Sequence, residues 1–331
     1  MKWLYLILAC LFMAGCEKAV FEEENDGGTK GGNVVLSVTG YEGLKGTVRS
    51  TEDLTKVCTR MSFVVYRDGE RLKTINQKLG DKDFGSVELS LEEGDYEVLI
   101  LGHSSPGKDN PTMTHPEKIQ FSNISEKGNG TGYSDTFYTF EYITVGDKSI
   151  SRTFTLTRAV AMFRLVTTDA KPSEVKQIWF RYTGGSGAFD AYTGYGCVNS
   201  TQAVTFDLTE EQDGQPLQFD LYTFPKEETG ALTIQARAFD AKGETIYEHT
   251  FENVPIERNT ITQYSGAFFT EMAYEDPEEP DTPVNPEDPE NPDSPDVPDN
   301  PSTPEEPEKT DTPSTIFKVE TDWASINYFT F

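Results

Sequence analysis

The stretch SVELSLEEGDYEVLILGHS, residues 86–104, decides the architecture. Val87, Leu89 and Leu91 alternate with Ser86, Glu88 and Ser90, a period of two that puts the apolar side chains on one face of a strand. Glu93-Gly94-Asp95 interrupts the run with residues suited to a turn, and Tyr96 to Leu101 resumes it. A strand, an acidic glycine turn and an aromatic-led strand together predict a hairpin of a β-sandwich. Upstream, Val34, Leu36 and Val38 alternate in the same way. MSFVVYR (61–67) is followed by Asp68-Gly69, a strong hairpin signal, with Leu72 to Ile75 as the return strand. Downstream, residues 102–135 are rich in Gly, Ser, Asn and Pro and predict long loops, before FYTFEYI (137–143) returns to strand.

Gly146-Asp147-Lys148 closes this first region, predicted as a β-sandwich domain over 33–148. A second, over 149–273, is built from Ser151 to Leu156, RAVAMFRLV (158–166), IWFRY (178–182) and the runs 203–208, 217–224, 232–239 and 245–251. The run at 158–166 has a pattern a helix would share, but its neighbours are strand-like and it is read as strand. Asp240-Ala241-Lys242-Gly243 predicts a tight turn. With 331 residues, the chain is long enough for two domains of ordinary size and a tail, in an all-β class.

The ends are different material. MKWLYLILACLFMAGC (1–16) carries Lys2 as its only charge, then an apolar run too short for a membrane span but right for a secretory leader. Small residues before Cys16 resemble a bacterial lipobox. In that signal class, residues 1–15 are removed and Cys16 carries a lipid, which places the protein on the outer membrane. Residues 16–32, acidic and Gly-rich, read as a flexible tether. From Pro277 to Pro307 a proline recurs every third residue, with Asp and Glu between. That period matches polyproline II, so 274–314 reads as an extended, self-repelling spacer reaching roughly 90–100 Å at about 3.1 Å per residue. Beyond it, 315–331 is strongly apolar through Ile316, Phe317, Val319, Trp323, Ile326, Tyr328, Phe329 and Phe331. Such a segment needs a docking partner in the same chain, in another subunit or at a membrane, and its length suits a strand added to a sheet edge.

The net charge of −28 argues against nucleic-acid binding and against a basic membrane-facing patch. His103, His115 and His249 stand in unrelated contexts without metal-ligand spacing. There is no nucleophile elbow, zinc-protease motif, P-loop or dinucleotide fingerprint. No catalytic residue, metal or cofactor is expected. Of four cysteines, Cys58 and Cys197 remain in the folded part, either as a pair or as two small buried side chains. Trp179, Tyr182, Phe189, Tyr192 and Tyr195 gather around the loop GGSGAFDAYTGYG. They either present a surface for a sugar or protein partner or cap one end of a sandwich core.

Arg158-Ala159-Val160-Ala161 after the strand at 151–156, Val254-Pro255-Ile256, Arg258-Asn259-Thr260, Thr262 and Gly266 together resemble the Bacteroidetes fimbrillins and the related fimbrial anchor or minor-subunit lipoproteins. The likeness runs loosely over 33–270. It implies two tandem transthyretin-like β-sandwich domains, lipoprotein export and assembly into surface fimbriae by donor-strand exchange. In polymerising members an arginine-specific protease removes an early strand, and Arg49 and Arg60 are the corresponding candidates here. The spacer at 274–314 departs from the compact pattern of such subunits, so an anchor, tip or accessory role stands beside a stalk role. The expected partners are other fimbrial subunits or surface lipoproteins, the outer membrane through Cys16, and a host protein or glycan. The rival reading is a glycan-binding surface lipoprotein using the 179–195 aromatics.

Overall fold

The structure, a computed structural model, describes residues 32–42, 48–104, 111–121, 133–270 and 323–331. The leader, Cys16, the tether up to residue 31, the spacer at 274–314, and Ile316, Phe317 and Val319 lie outside the described residues. Among the described residues the fold is all-β apart from one short helix and a 3-10 turn.

The N-terminal half contains β1 (Val34–Glu42), β2 (Val48–Ser50), α1 (Thr51–Val57), β3 (Arg60–Arg67), β4 (Glu70–Lys78), β5 (Ser86–Leu89), β6 (Gly94–His103), β7 (Ile119–Gln120), β8 (Thr136–Val145) and β9 (Ile150–Arg158). All but β7 join one eight-stranded sheet, in the order β2-β1-β9-β8-β6-β3-β4 with β5 on β1. The sheet wraps around a core that collects Val34, Leu36, Phe63, Val98, Ile100, Phe137 and Leu156. Gln77, near the end of β4, closes it on the far side. Its Nε2 donates to the carbonyls of Asp83 and Ser86 at 2.9 and 2.8 Å, and its Oε1 accepts from the Gly85 N–H at 2.8 Å. The hairpin β3–β4 turns on Asp68 (φ 54°) and Gly69 (φ 76°), both left-handed, as a type I′ turn requires. Helix α1 lies between β2 and β3. Ser50 caps it, accepting the Asp53 N–H at 3.3 Å, and Leu54 is buried.

The C-terminal half contains β10 (Ala161–Thr167), β11 (Gln177–Thr183), β12 (Ala188–Phe189), β13 (Gln202–Asp207), β14 (Gln218–Thr223), β15 (Thr229–Phe239), β16 (Thr245–Glu257), β17 (Thr260–Gly266) and β18 (Ser325–Thr330). Two four-stranded sheets, β14-β10-β17-β18 and β13-β11-β15-β16, enclose Phe163, Leu165, Ile178, Phe180, Phe219, Ile234 and Phe251. The predicted division at 148/149 falls ahead of β9. Yet β9 pairs in parallel with β1 (Val34↔Ile150 through Tyr41↔Leu156) and antiparallel with β8. By strand pairing the change-over lies between Arg158 and Ala161. The strand expected over 158–166 is likewise cut at Ala159-Val160, where the chain passes from one sheet to the other.

A third core lies between the halves and explains the unbroken apolar runs. β3 and β6 are central strands covered on both faces, which removes alternation from the sequence. Phe63 and Val65 face the first core, whereas Val64 and Tyr66 face the junction. Val98 and Ile100, against Leu99 and Leu101, divide in the same way. Met162, Ile261, Phe189 and Phe224 meet them from the C-terminal half. The loops expected over 102–135 contribute Met113, Ile119, Phe121 and Tyr133 to this junction, all buried, and β7 pairs with β12 across it. Cys58 is buried and Cys197 exposed, and both are free thiols. Among the described residues no helix is long and apolar enough to cross a membrane.

Candidate functional site

The last nine residues occupy a slot on this same chain. β18 lies parallel to β17, in register from Thr260↔Ser325 to Ser265↔Thr330, at the edge of its sheet. The sequence left several partners open for this segment, and the structure places it on the chain's own second half. Trp323, just ahead of the strand, is 1% exposed and is the largest fully buried side chain. The strand itself is far less buried, with Ile326 half-buried, Tyr328 69% exposed, and Phe329 and Phe331 in the high thirties.

Arg158 forms the floor under Trp323. Its guanidinium carbon lies 4.0 Å from the centroid of the indole and 4.6 Å from that of Phe137. Nε and Nη2 donate to the two carboxylate oxygens of Asp135 at 2.7 and 2.8 Å, and Nη1 donates to Asn259 Oδ1 at 2.7 Å. Burial disfavours the charge on Arg158, but the field and hydrogen bonds of Asp135 outweigh it, and the group is held above its ordinary pKa. A planar, permanently charged guanidinium satisfied along its edge leaves its face for an aromatic ring.

The remaining contacts run along β17. Asn259 adopts φ 60° in the turn before it, and its carbonyl accepts the Ala324 N–H at 2.9 Å. Thr260 Oγ1 and Ser325 Oγ are 2.9 Å apart. Phe329 stacks on Tyr264 at 4.8 Å between centroids. Phe331 meets Phe251 edge-on at 4.9 Å and His249 at 5.7 Å. Gly266 stands where the Phe331 carbonyl comes closest; a Cβ there would lie 2.3 Å from that oxygen. Arg158, Asn259, Thr260 and Gly266 thus line one continuous slot, and all four belong to the residues that carry the family resemblance.

The two arginines proposed for maturation differ in setting. Arg60 opens β3 and is paired on both sides, with Lys78 and His103. Arg49 lies in the three-residue edge strand β2, opposite Tyr41. By pairing, Arg49 is the more accessible backbone.

The five aromatics at 179–195 do not converge. Tyr182 is buried in the C-terminal core, with its hydroxyl donating to the Tyr222 carbonyl at 3.0 Å, and Phe189 is buried at the junction. Trp179 sits on the outer sheet face beside Arg237, and Tyr195 beside Arg258. Tyr192 is 46% exposed, against Phe140 and donating to Glu97 at 3.1 Å. Desolvation and the Glu97 carboxylate push its hydroxyl up to about 12. Sequence proximity grouped side chains that the sheets send to three different faces.

Among the described residues no group of three or more His, Cys, Asp or Glu is placed to hold a metal. His103 is buried at the end of β6. Desolvation first, then the charge of Arg60, pulls its imidazole down to about 4, the state of a neutral core residue. His249 Nε2 lies 3.1 Å from the Phe268 carbonyl and serves the slot wall.

The all-β scaffold thus holds its own last strand by backbone pairing along the edge of β17. Residues 27–285 match the model of a family described as a family of unknown function, DUF6562, and the chain belongs to that family. No curated protein matches it. Among solved structures, a candidate adhesin from Bacteroides ovatus is similar at 13% identity and TM-score 0.46, covering 66% of this chain and 81% of that one. The fimbrial anchor protein Mfa2 from Porphyromonas gingivalis is similar at 12% identity and TM-score 0.39, covering 66% and 81%. A fimbrial assembly protein from Parabacteroides distasonis gives 15% identity and TM-score 0.36, over 71% and 89%.

Proposed function

We propose that the protein is a structural or accessory component of cell-surface fimbriae, an anchor or tip subunit, which joins its neighbours by strand addition. In this reading it is tethered to the outer membrane by lipid on Cys16 and catalyses nothing. The two halves act as tandem transthyretin-like sandwiches, and Arg49 marks where proteolysis would open the edge beside β1. One observation carries the proposal. Residues 323–331 fill the edge of β17 non-covalently, and the 271–322 segment separates them from the rest of their sheet in sequence. A slot that accepts WASINYFTF from its own chain presents the same backbone groups and the same Arg158 floor to that segment of another subunit. The similar solved structures are described as adhesins or fimbrial proteins; that description is theirs, and the slot is the support here.

The test places cysteines at Gln263 and Tyr328, Cα partners in the parallel register, in a Cys197→Ser background. Within a monomer the new pair forms a disulfide inside one chain. In surface-assembled material the proposal expects chains joined through 263–328 on non-reducing gels, dissolved by reductant. Assemblies whose 263–328 disulfides all lie within single chains overturn it.

A further inference from the structure

We propose that Lys171 and Asp213 form a covalent amide cross-link, Nζ to Cγ, that clamps the open end of the β10–β14 pair. Lys171 lies in the segment after β10, and Asp213 in the turn before β14. The lysine side chain has no exposed surface, while the carboxyl partner is 29% exposed. Its Nζ contacts Asp213 Oδ1 directly and meets the Pro172 carbonyl at 3.3 Å. Asp169, on the same segment, is engaged elsewhere, accepting the N–H groups of Phe268 and Phe269 at 2.9 and 2.6 Å. The buried Nζ is thereby held against the Asp213 carboxyl.

Backbone bonds fix the geometry on both sides. The Lys171 N–H donates to the Gln215 carbonyl and the Gly214 N–H to the Lys171 carbonyl, each at 2.9 Å. One step further in, the Thr167 N–H donates to the Leu217 carbonyl at 2.9 Å and the Leu217 N–H to Thr167 Oγ1 at 2.8 Å. Amine and carboxyl are therefore held together by the fold, the condition under which an intramolecular reaction gains effective molarities of about 10⁵ M or more.

The step balances within the pair. The reaction begins with transfer of a proton from the Lys171 ammonium to the Asp213 carboxylate, which leaves a free amine and a carboxylic acid in contact. The Nζ lone pair then attacks Cγ, the Cγ–O bond to the protonated oxygen breaks, and the hydroxyl departs with one amine proton as water. The other amine proton stays on the amide. No oxidant, cofactor or activated co-reactant enters, and the exposed side of Asp213 is the exit for water. The bond would close a loop holding β11, β12 and β13, and would tie β14 to β10 in the sheet that carries the β18 slot.

Peptide mapping of the purified full chain decides the matter. Trypsin releases 165–176, since Lys171-Pro172 resists cleavage, and 182–226. The expected result is one branched peptide joining the two, one water lighter than their sum, absent from Lys171→Met and Asp213→Ala chains. Fragmentation should place the junction at Lys171 and Asp213. Recovery of 165–176 and 182–226 only as separate peptides from folded wild-type protein overturns the proposal, whether or not either variant folds.

Discussion

Replacing Trp323 with alanine concentrates the energetics of the slot in one side chain. The indole is wholly buried on the Arg158 guanidinium, with its centroid 4.0 Å from the guanidinium carbon, and lies beside Tyr222 at 6.3 Å between centroids. Removing a buried Trp costs about 3–5 kcal/mol, and a desolvated cation–π contact adds about 2 kcal/mol. The rest of the segment contributes six residues of backbone pairing and partly exposed rings, set against an ordering cost of about 1–2 kcal/mol per residue. The strand therefore releases before a cavity forms, and the observed loss saturates at its docking free energy. The assay is titration of the peptide WASINYFTF into a chain ending at residue 322. Alanine at the first position should weaken binding by at least ~100-fold, or about 3 kcal/mol. Alanine in place of Tyr328, 69% exposed, should change it by less than ~3-fold. If the Trp323→Ala peptide binds within ~3-fold of the native one, the anchor argument is wrong.

Other expectations follow from the same geometry. Gly266→Ala puts a Cβ against the Phe331 carbonyl and should free the end of β18, raising amide exchange at Phe331 while exchange at Ala324, bonded to Asn259, stays slow. Asp135→Ala strands the Arg158 charge and should cost about 3–5 kcal/mol in urea unfolding, whereas removing both charges by Asp135→Leu with Arg158→Met should recover most of it. For His103 the folded value of about 4 lies below the unfolded 6.5, so the unfolded chain takes up the extra proton between them. Stability from this site is full above pH 6.5 and falls by about 3 kcal/mol as pH drops towards 4. Urea midpoints of a His103→Gln chain should show a correspondingly shallower loss over that window, and equal slopes would remove His103 as the cause.

Local chemistry made much of the N-terminal half legible. Val34, Leu36 and Val38 alternate because β1 has one face on the core, and Asp68-Gly69 turns because both residues accept a left-handed backbone. What the sequence hid is partnership. β9 looked like the opening strand of the second unit because strand pattern carries no record of its mate, and its mate β1 lies more than a hundred residues upstream. The polar composition of 102–135 predicted loops, and of its described residues 111–118 lie outside any named strand or helix. Its few apolar residues, Met113, Ile119, Phe121 and Tyr133, are nonetheless the cover of the junction. Trp179 and Tyr182 part for a related reason, since alternation along β11 sends them to opposite faces.

The slot was half legible. Arg158, Asn259, Thr260 and Gly266 drew attention as a pattern, and Trp323 as an apolar residue beyond a spacer, but nothing in the chain's order joins them. Their juxtaposition accounts for each. Arginine is needed where a cation must be satisfied by Asp135 along its edge and still offer a face to an indole, which lysine does not provide. Asparagine suits a left-handed turn that also gives the guanidinium an acceptor. Glycine is required where a carbonyl approaches within 2.3 Å of the Cβ position. These four residues serve one incoming strand, and they would serve it equally whether it arrived from this chain or from another copy. On the proposed strand-addition reading the docked state competes directly with assembly, and weakening self-docking without touching the slot, as Trp323→Ala does, should leave the slot open to a native WASINYFTF segment supplied by a neighbour.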